Sequence, residues 1–114
     1  MKAYHETGKI DENEIYSYIT EGIGEDIIPE NINFGIIDRF IKVTDKDGAV
    51  LTRDLAKKEG LFVGYSAGSA IKGVLEMADE LTEDDMVVVL LHDHGSRYVG
   101  KVFNDDWMEA QGWL

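Results

Sequence analysis

The chain has 114 residues, 44% of them hydrophobic and 30% charged, which is typical of one soluble globular domain with a modest core. Its 23 acidic residues outnumber 11 basic ones and give a formal net charge of −12, which argues against nucleic-acid binding. There is no cysteine for disulfides or thiolate metal sites, and no apolar run near bilayer length. We therefore expect a single cytoplasmic domain spanning residues 1–114.

The first half of the chain contains two predicted strands and one predicted helix. Residues 14–20 (EIYSYIT) alternate loosely, and residues 38–44 (DRFIKVT) read as a second strand. Thr44 and Asp47 then form a T-x-x-D capping box, which predicts that a helix begins there. Gly60 is suited to the position just after the end of that helix.

The second half continues the alternation of strands and helices. Residues 61–63 are a short apolar strand, and Ser66 is predicted to cap the helix that follows. The apolar positions of that helix recur with helical period and are Ala70, Ile71, Val74, Leu75, Ala78 and Leu81. Residues 86–91 (MVVVLL) resemble a strand buried on both faces of a parallel sheet. Short helical stretches are expected at 99–103 and 105–111.

This alternation predicts an α/β fold with a partial, mainly parallel sheet and flanking helices. In such folds ligands bind beyond the carboxyl ends of the strands. Three segments occupy such positions here, namely 22–25, 64–69 and 92–98. We expect the functional site where these segments meet.

Residues 64–68 (GYSAG) fit G-x-S-x-G, the nucleophile elbow of α/β-hydrolases. That fold places an acid and then a histidine downstream on separate loops, whereas Asp93 here lies directly between His92 and His94. A serine hydrolase using Ser66 is therefore a distant alternative. A serine hydroxyl between two glycines at a helix start also describes a ligand-binding loop.

The remaining conspicuous side chains have structural interpretations. His92 and His94 have the spacing of a metal pair, but no third and fourth ligand is apparent, so we predict ordinary loop histidines and no metal site. Trp107 and Trp113 are predicted to pack the terminal helix.

Three motifs, in order and spacing, resemble the C-terminal part of a known catalytic core. They are EGIGEDIIP at 21–29, EGLFVGYSAGSA at 59–70 and HDHGSRYVGKVFNDDWMEAQGWL at 92–114. The resemblance is to the cystathionine β-synthase family, and less closely to the related cysteine synthases, both fold type II enzymes that use pyridoxal phosphate. It runs in one register from about residue 16 to residue 114.

The resemblance implies a cofactor site and a reaction. Ser66 matches the serine whose hydroxyl hydrogen-bonds the pyridine nitrogen of pyridoxal phosphate. Gly22, Ile23 and Gly24 match the glycine segment that lines the cofactor cleft, and Asp93 matches an aspartate near the pyridine edge. The implied reaction is β-replacement on serine or an activated serine, in sulfur amino-acid metabolism, with homocysteine or sulfide as nucleophile.

Other parts of the family pattern have no match in this chain. The Schiff-base lysine, the substrate-carboxylate loop, the phosphate loop and the regulatory domain pair are all missing, and Lys72 and Lys101 do not occupy the lysine position. We therefore expect a fragment that has no catalytic residue, binds the cofactor weakly or not at all, and is inactive alone. Half of a split enzyme and a non-catalytic interaction module are the alternatives. Uncovered apolar surface would then favour a homo-oligomer or a complementing chain.

Overall fold

The structure, a computed structural model, describes residues 1–21, 23 and 27–114, and helices are its main elements. The four α-helices are α1 (Lys2–Thr7), α2 (Asp45–Glu59), α3 (Tyr65–Glu76) and α4 (Asp105–Ala110). Short 3-10 turns lie at Glu12–Glu14, Phe34–Ile36, Ala78–Glu80 and Gly95–Tyr98. No helix in this part of the chain has both the length and the apolar character needed to cross a membrane.

The predicted strands do not pair with one another in the described ranges. They are the segments 14–20, 38–44, 61–63 and 86–91. The β-pairing found there is one isolated antiparallel bridge between Val63 and His94, next to which the Gly64 amide donates to the Asp93 carbonyl at 3.1 Å. A strand needs a neighbour to satisfy its backbone groups, so these segments are irregular in this chain. The mainly parallel sheet stays a prediction.

The apolar segment 86–91 is exposed rather than buried. Met86 is 91% exposed, Val88 is 88% exposed and Leu90 is 72% exposed. The prediction of burial on both faces is wrong for this chain, because the described elements do not cover the segment. An apolar surface of this kind marks an interaction site or a liability to aggregation.

Helix α2 begins and ends where the sequence predicts. The Thr44 hydroxyl accepts a hydrogen bond from the Asp47 amide at 3.1 Å, and the Asp47 carboxylate accepts one from the Thr44 amide, so the capping box is complete. Gly60 follows the helix with φ 71°, a left-handed conformation that glycine adopts without steric penalty.

Helix α3 begins earlier than predicted. Gly64 is its N-cap, Ser66 is its second residue, and no side chain caps it, so the prediction that Ser66 caps this helix is wrong. The bond from the Gly64 amide to Asp93 fixes the chain there, and the helix starts immediately afterwards. It ends at Glu76, and the last two predicted stripe positions fall in and just after the turn Ala78–Glu80.

Small residues let α2 and α3 pack backbone against backbone. A Cβ added at Gly68 would lie 2.2 Å from the Gly48 carbonyl and 2.3 Å from the Thr52 hydroxyl. Thr52 is fully buried, with its hydroxyl 2.8 Å from the Gly48 carbonyl and 3.1 Å from the Gly64 carbonyl. The start of α3 is therefore held directly on α2.

The C-terminal residues complete the core beside this helix pair. The core side chains are Ala49, Tyr65, Val102 and Met108, with Ile19, Tyr98, Phe103, Trp107 and Trp113 packed against them. Trp107 and Trp113 meet edge to face at 5.6 Å, which confirms that they pack the terminal helix. Arg53 donates to the Val102 carbonyl at 2.9 Å and pairs with Asp105, tying this region to α2. Residues 99–103 form a turn rather than a helix, and α4 agrees with the helix predicted at 105–111.

Substitution of two glycines on α3 tests the close helix contact. Gly68→Ala should lower the free energy of unfolding by about 1–3 kcal/mol, because its methyl group meets α2 backbone that cannot move aside. Gly73→Ala is the matched control: within the described ranges the added Cβ meets no atom within 4 Å beyond its chain neighbours and its own helix backbone, so higher helix propensity should raise stability by about 0.5–1 kcal/mol. Urea denaturation followed by circular dichroism measures both. Equal effects of the two substitutions would contradict the contact.

Candidate functional site

Two of the three segments predicted to form the site meet at the Val63–His94 bridge. A Cβ added at Gly64 would lie 2.1 Å from Asp93 Oδ1 and 2.5 Å from the Tyr98 ring. Only glycine permits so close an approach. The bridge therefore brings the first turn of α3, which carries Ser66, next to the loop that carries Asp93.

The Asp93 carboxylate has one satisfied oxygen and one unsatisfied oxygen. Its Oδ2 accepts a hydrogen bond from the Tyr98 hydroxyl at 2.6 Å, whereas its buried Oδ1 has no hydrogen-bond partner among the described residues. Leaving a buried acceptor unpaired is costly, so this oxygen is suited to receive a donor from a ligand. The hydrogen bond to Asp93, with a smaller contribution from burial, raises the pKa of Tyr98 to about 12.

Tyr65 lies beneath the same loop. It is 2% exposed, and its ring meets the Tyr98 ring edge to face at 5.0 Å. Its buried hydroxyl has no hydrogen-bond partner in the described ranges. Burial, followed by the negative charge of Asp45, raises the pKa of Tyr65 to about 12. Tyr65 and Tyr98 therefore form a protonated phenol pair under Asp93 at neutral pH.

The Ser66 hydroxyl is available at the start of α3. Ser66 is half-buried and makes no side-chain hydrogen bond with the described part of the chain. A hydroxyl can donate or accept, and the backbone dipoles at a helix start favour electron-rich groups. Ser66 can therefore hydrogen-bond a ligand atom without placing a full charge beside it.

The two loop histidines do not assemble a catalytic triad with Ser66. His94 caps the turn Gly95–Tyr98, where its Nδ1 accepts from the Ser96 amide at 3.3 Å and lies 2.9 Å from the Ser96 hydroxyl. His92 is exposed, and neither imidazole hydrogen-bonds Ser66 within the ranges that the structure covers. The described residues also contain no cluster of three or more metal-ligating side chains.

The third predicted segment is described only in part. Gly22 and Gly24 lie outside the described residues, and Ile23 is 42% exposed. Ile19 and Thr20 precede this segment in the chain. The Asp45 carboxylate accepts hydrogen bonds from the Ile19 amide at 2.7 Å, the Thr20 amide at 2.9 Å and the Thr20 hydroxyl at 2.6 Å. Ile19 and Thr20, which precede the glycine segment in the chain, are thus attached to the first residue of α2.

Sequence reasoning predicted Ser66 and Asp93 as site residues but did not single out Tyr65 and Tyr98 next to them, or Asp45 at the start of α2. Tyr98 was missed because nothing in the sequence indicates that its hydroxyl bonds the Asp93 carboxylate, and Tyr65 because nothing indicates that its hydroxyl is buried without a partner among the described residues. Asp45 has the ordinary appearance of an acid in the first turn of a helix. Its contacts reach back 25 and 26 residues, and no local pattern encodes them.

A cleft of about 760 Å³ lies away from Ser66, between the N-terminal residues and the start of α2. Its lining includes Tyr16, Ile23, Phe40, Asp45 and Trp113, and neither Ser66 nor Asp93 contributes to it. We place the candidate site at Ser66 and Asp93 because the available hydroxyl and the unpaired carboxylate oxygen lie there. Ile23 is the described residue of the glycine segment that lines this cleft.

Comparison with known proteins gives the chain its family. The sequence profile of the pyridoxal-phosphate dependent enzymes matches residues 1–93. The cystathionine beta-synthase of Oryctolagus cuniculus is 38% identical over 109 residues, which cover 96% of this chain and 20% of that protein. The cystathionine beta-synthase of Dictyostelium discoideum is 42% identical over 98 residues, which cover 86% of this chain and 20% of that protein. The cystathionine beta-synthase of Apis mellifera is 36% identical over 103 residues, which cover 90% of this chain and 20% of that protein.

The chain thus spans about a fifth of the length of these curated relatives. The matched profile covers most of the chain and includes both Ser66 and Asp93. The chain belongs to the pyridoxal-phosphate dependent enzyme family.

Proposed function

We propose that this chain forms the pyridine-facing part of the cofactor site in a cystathionine β-synthase-like enzyme. The reaction of that enzyme would be β-replacement on serine or an activated serine. One observation supports the proposal: the bridge at Val63 and His94 joins the start of α3, which carries Ser66, to the loop of Asp93, whose Oδ1 has no hydrogen-bond partner among the described residues. The surrounding sequence is 36–42% identical to three cystathionine beta-synthases.

The residues present fit one side of pyridoxal phosphate. An aromatic ring nitrogen can accept a hydrogen bond from the Ser66 hydroxyl, and Gly64 lets the Asp93 and Tyr98 side chains pack directly against the start of α3. The unpaired Asp93 Oδ1 provides a further acceptor at the same end of the helix. We assign Ser66 and Asp93 as cofactor-binding residues, and Gly22, Ile23 and Gly24, by resemblance, as residues that line the cofactor cleft.

When bound, pyridoxal phosphate supplies an electron sink, and the protein controls its position and its electronic state. Ser66 is neutral, so its hydroxyl would leave the pyridine nitrogen largely unprotonated, which suits elimination and replacement at a β-carbon. Tyr98 keeps its proton at neutral pH because its pKa is about 12. It therefore acts as a donor that fixes the orientation of the Asp93 carboxylate.

We further propose that these 114 residues alone do not complete a reaction. A lysine that attacks a carbonyl must lose its proton first. The hydrogen bond and charge of Glu76 raise the pKa of Lys72 and hold it protonated, and Lys101 pairs with Glu21 at 3.4 Å. Neither lysine hydrogen-bonds Ser66 or Asp93 in the part of the chain that the structure covers.

The apolar segment 86–91 supports a second proposal, that the chain works in an assembly. Its exposed side chains are β-branched or long and apolar, and they adjoin the loop that carries Asp93. A second copy of the chain or a complementing chain could cover them by strand pairing. The same surface would serve a non-catalytic interaction module, which is the alternative function.

Two serines on α3 test the cofactor assignment. Adding pyridoxal phosphate should shift the amide NMR signals of Ser66 and Asp93, and Ser66→Ala should weaken that response by about five- to tenfold, the value of one hydrogen bond. Ser69→Ala is the matched control, because the Ser69 hydroxyl is buried against Gly48 and has no hydrogen-bond partner among the described residues. Equal loss in both variants, or no response in the wild-type chain, would refute the assignment.

Reduction with borohydride tests whether the chain is inert alone. After incubation with pyridoxal phosphate, intact mass should show only scattered, substoichiometric labelling, because Lys72 and Lys101 are held in ion pairs. Peptide mapping locates any label. One lysine modified to one equivalent would mean that this chain has a Schiff-base site of its own.

Exchange of one exposed apolar side chain for a charge tests the assembly. Sedimentation velocity over a concentration series should show self-association of the wild-type chain, and Val88→Lys should reduce it by introducing repulsion at the pairing surface. Ile36→Lys is the control, because Ile36 is 78% exposed but lies outside this segment, in the turn Phe34–Ile36. A wild-type chain that stays monomeric, or the same loss in both variants, would count against the role of 86–91.

A further inference from the structure

The Asp45 carboxylate is committed to the residues that precede the glycine segment. Its Oδ2 accepts from the Ile19 amide, and its Oδ1 accepts from both the amide and the hydroxyl of Thr20. Thr20 is 1% exposed, so these bonds are shielded from water on the side of the threonine. Hydrogen bonds to an ionised acceptor are stronger than bonds between neutral groups.

Asp45 does not take part in the capping of α2. That role belongs to Thr44 and Asp47, which bond each other at the same end of the helix. Both oxygens of Asp45 are directed instead to a segment 25 and 26 residues earlier in the chain. A helix-stabilising acid would leave the position of that segment undetermined, whereas this carboxylate fixes two consecutive backbone amides.

The same helix carries Asp45 and the contact surface for α3. Gly48 and Thr52 hold the start of α3 against α2 through the contacts to Gly68. The carboxylate that fixes Thr20 is therefore one helical turn from the surface that fixes the helix of Ser66. Through α2, the position of residues 19–20 is set relative to Ser66.

A further contact joins these residues to the other side of the candidate site. Glu21, the next residue, pairs with Lys101 at 3.4 Å, just beyond the turn that contains Tyr98. Ile19 packs against the core that includes Tyr65. The chain thus enters the glycine segment from a point fixed on three sides.

We propose that Asp45 is a positioning residue, which holds Ile19 and Thr20 on the start of α2 and so sets where the glycine segment leaves the body that carries Ser66. This inference rests on the proposed function for its link to the cofactor. Its structural part concerns only this chain and can be measured without any cofactor.

The primary test compares Asp45→Asn with Asp47→Asn in amide NMR and hydrogen exchange. Asparagine keeps one acceptor oxygen but presents an NH₂ group to a donor, so exchange at Ile19 and Thr20 should accelerate about tenfold or more. The signals of Gly22 and Gly24 should shift in Asp45→Asn. Asp47→Asn perturbs the same helix end through Thr44 and should leave all four signals in place.

A threonine series keeps the test independent of overall stability. Thr20→Ser retains the hydroxyl donor and should preserve the signals of Gly22 and Gly24. Thr20→Val loses the side-chain hydrogen bond to Asp45, although it keeps the one from its amide, and should shift those signals. Three outcomes would each overturn the proposal: unchanged glycine signals in Asp45→Asn, equal shifts of those signals in Asp47→Asn, or a Thr20→Ser variant that does not preserve the wild-type signals of Gly22 and Gly24.

Addition of pyridoxal phosphate separates this proposal from the proposed function. We expect the response of Gly22 and Gly24 to the cofactor to be lost in Asp45→Asn and kept in Asp47→Asn. If the wild-type chain does not respond at all, the proposed function fails, and the cofactor-free spectra still decide the role of Asp45. A response that persists unchanged in Asp45→Asn would overturn the link to the cofactor.

Discussion

The direct contact between α2 and α3 is the constraint on which the rest of the structure depends. Gly48 and Gly68 bring the two backbones together, and Thr52 fills the space between them with a hydroxyl that lies within hydrogen-bond distance of two carbonyls. Packing at this distance leaves no room for a side chain at Gly48 or at Gly68. It also explains how a chain with almost no β-pairing in its described part keeps a defined start for the helix of Ser66.

Each other part of the candidate site is attached to this pair. Arg53 joins α2 to the C-terminal residues through the Val102 carbonyl and Asp105, and Asp45 joins α2 to Ile19 and Thr20. The Asp93 loop is attached to α3 by the bridge next to Gly64. Helix α2 therefore serves as the frame, and the side chains that would meet a cofactor lie on elements fixed to it.

Local signals in the sequence predicted the frame well. Thr44, Asp47 and Gly60 specify their own conformations by hydrogen bonding and by the left-handed backbone, so the bounds of α2 could be predicted. The start of α3 could not, because it depends on a bond from Gly64 to a residue 29 positions later, an interaction that no pattern within the helix reveals. Strand formation at 86–91 depends on neighbours, so an apolar, β-branched run indicated a propensity and not a sheet.

The residues of the candidate site also fall into two groups, those that a local motif predicts and those that depend on contacts between distant segments. Ser66 and Asp93 could be predicted as candidate site residues because their motifs resemble those of a known family, and the chain belongs to the pyridoxal-phosphate dependent enzymes. Tyr98, Tyr65 and Asp45 act through contacts that form only when distant segments meet. Their roles required the three-dimensional arrangement, since tyrosine beside glycine and aspartate in a first helical turn are common in proteins of every function.

The acidic residues that flank the exposed segment 86–91 affect how that segment can associate. Six consecutive apolar residues without proline or charge have the composition of a segment that stacks into cross-β aggregates when it is left unpaired. Glu83, Asp84 and Asp85 precede the segment directly, and Asp93 follows it closely, so it is flanked by negative charge. Residues in these positions act as gatekeepers, because stacking identical chains would bring their carboxylates into register. Together with the net charge of −12, they would oppose unlimited stacking of the segment while still permitting its specific pairing with a second copy or a complementing chain.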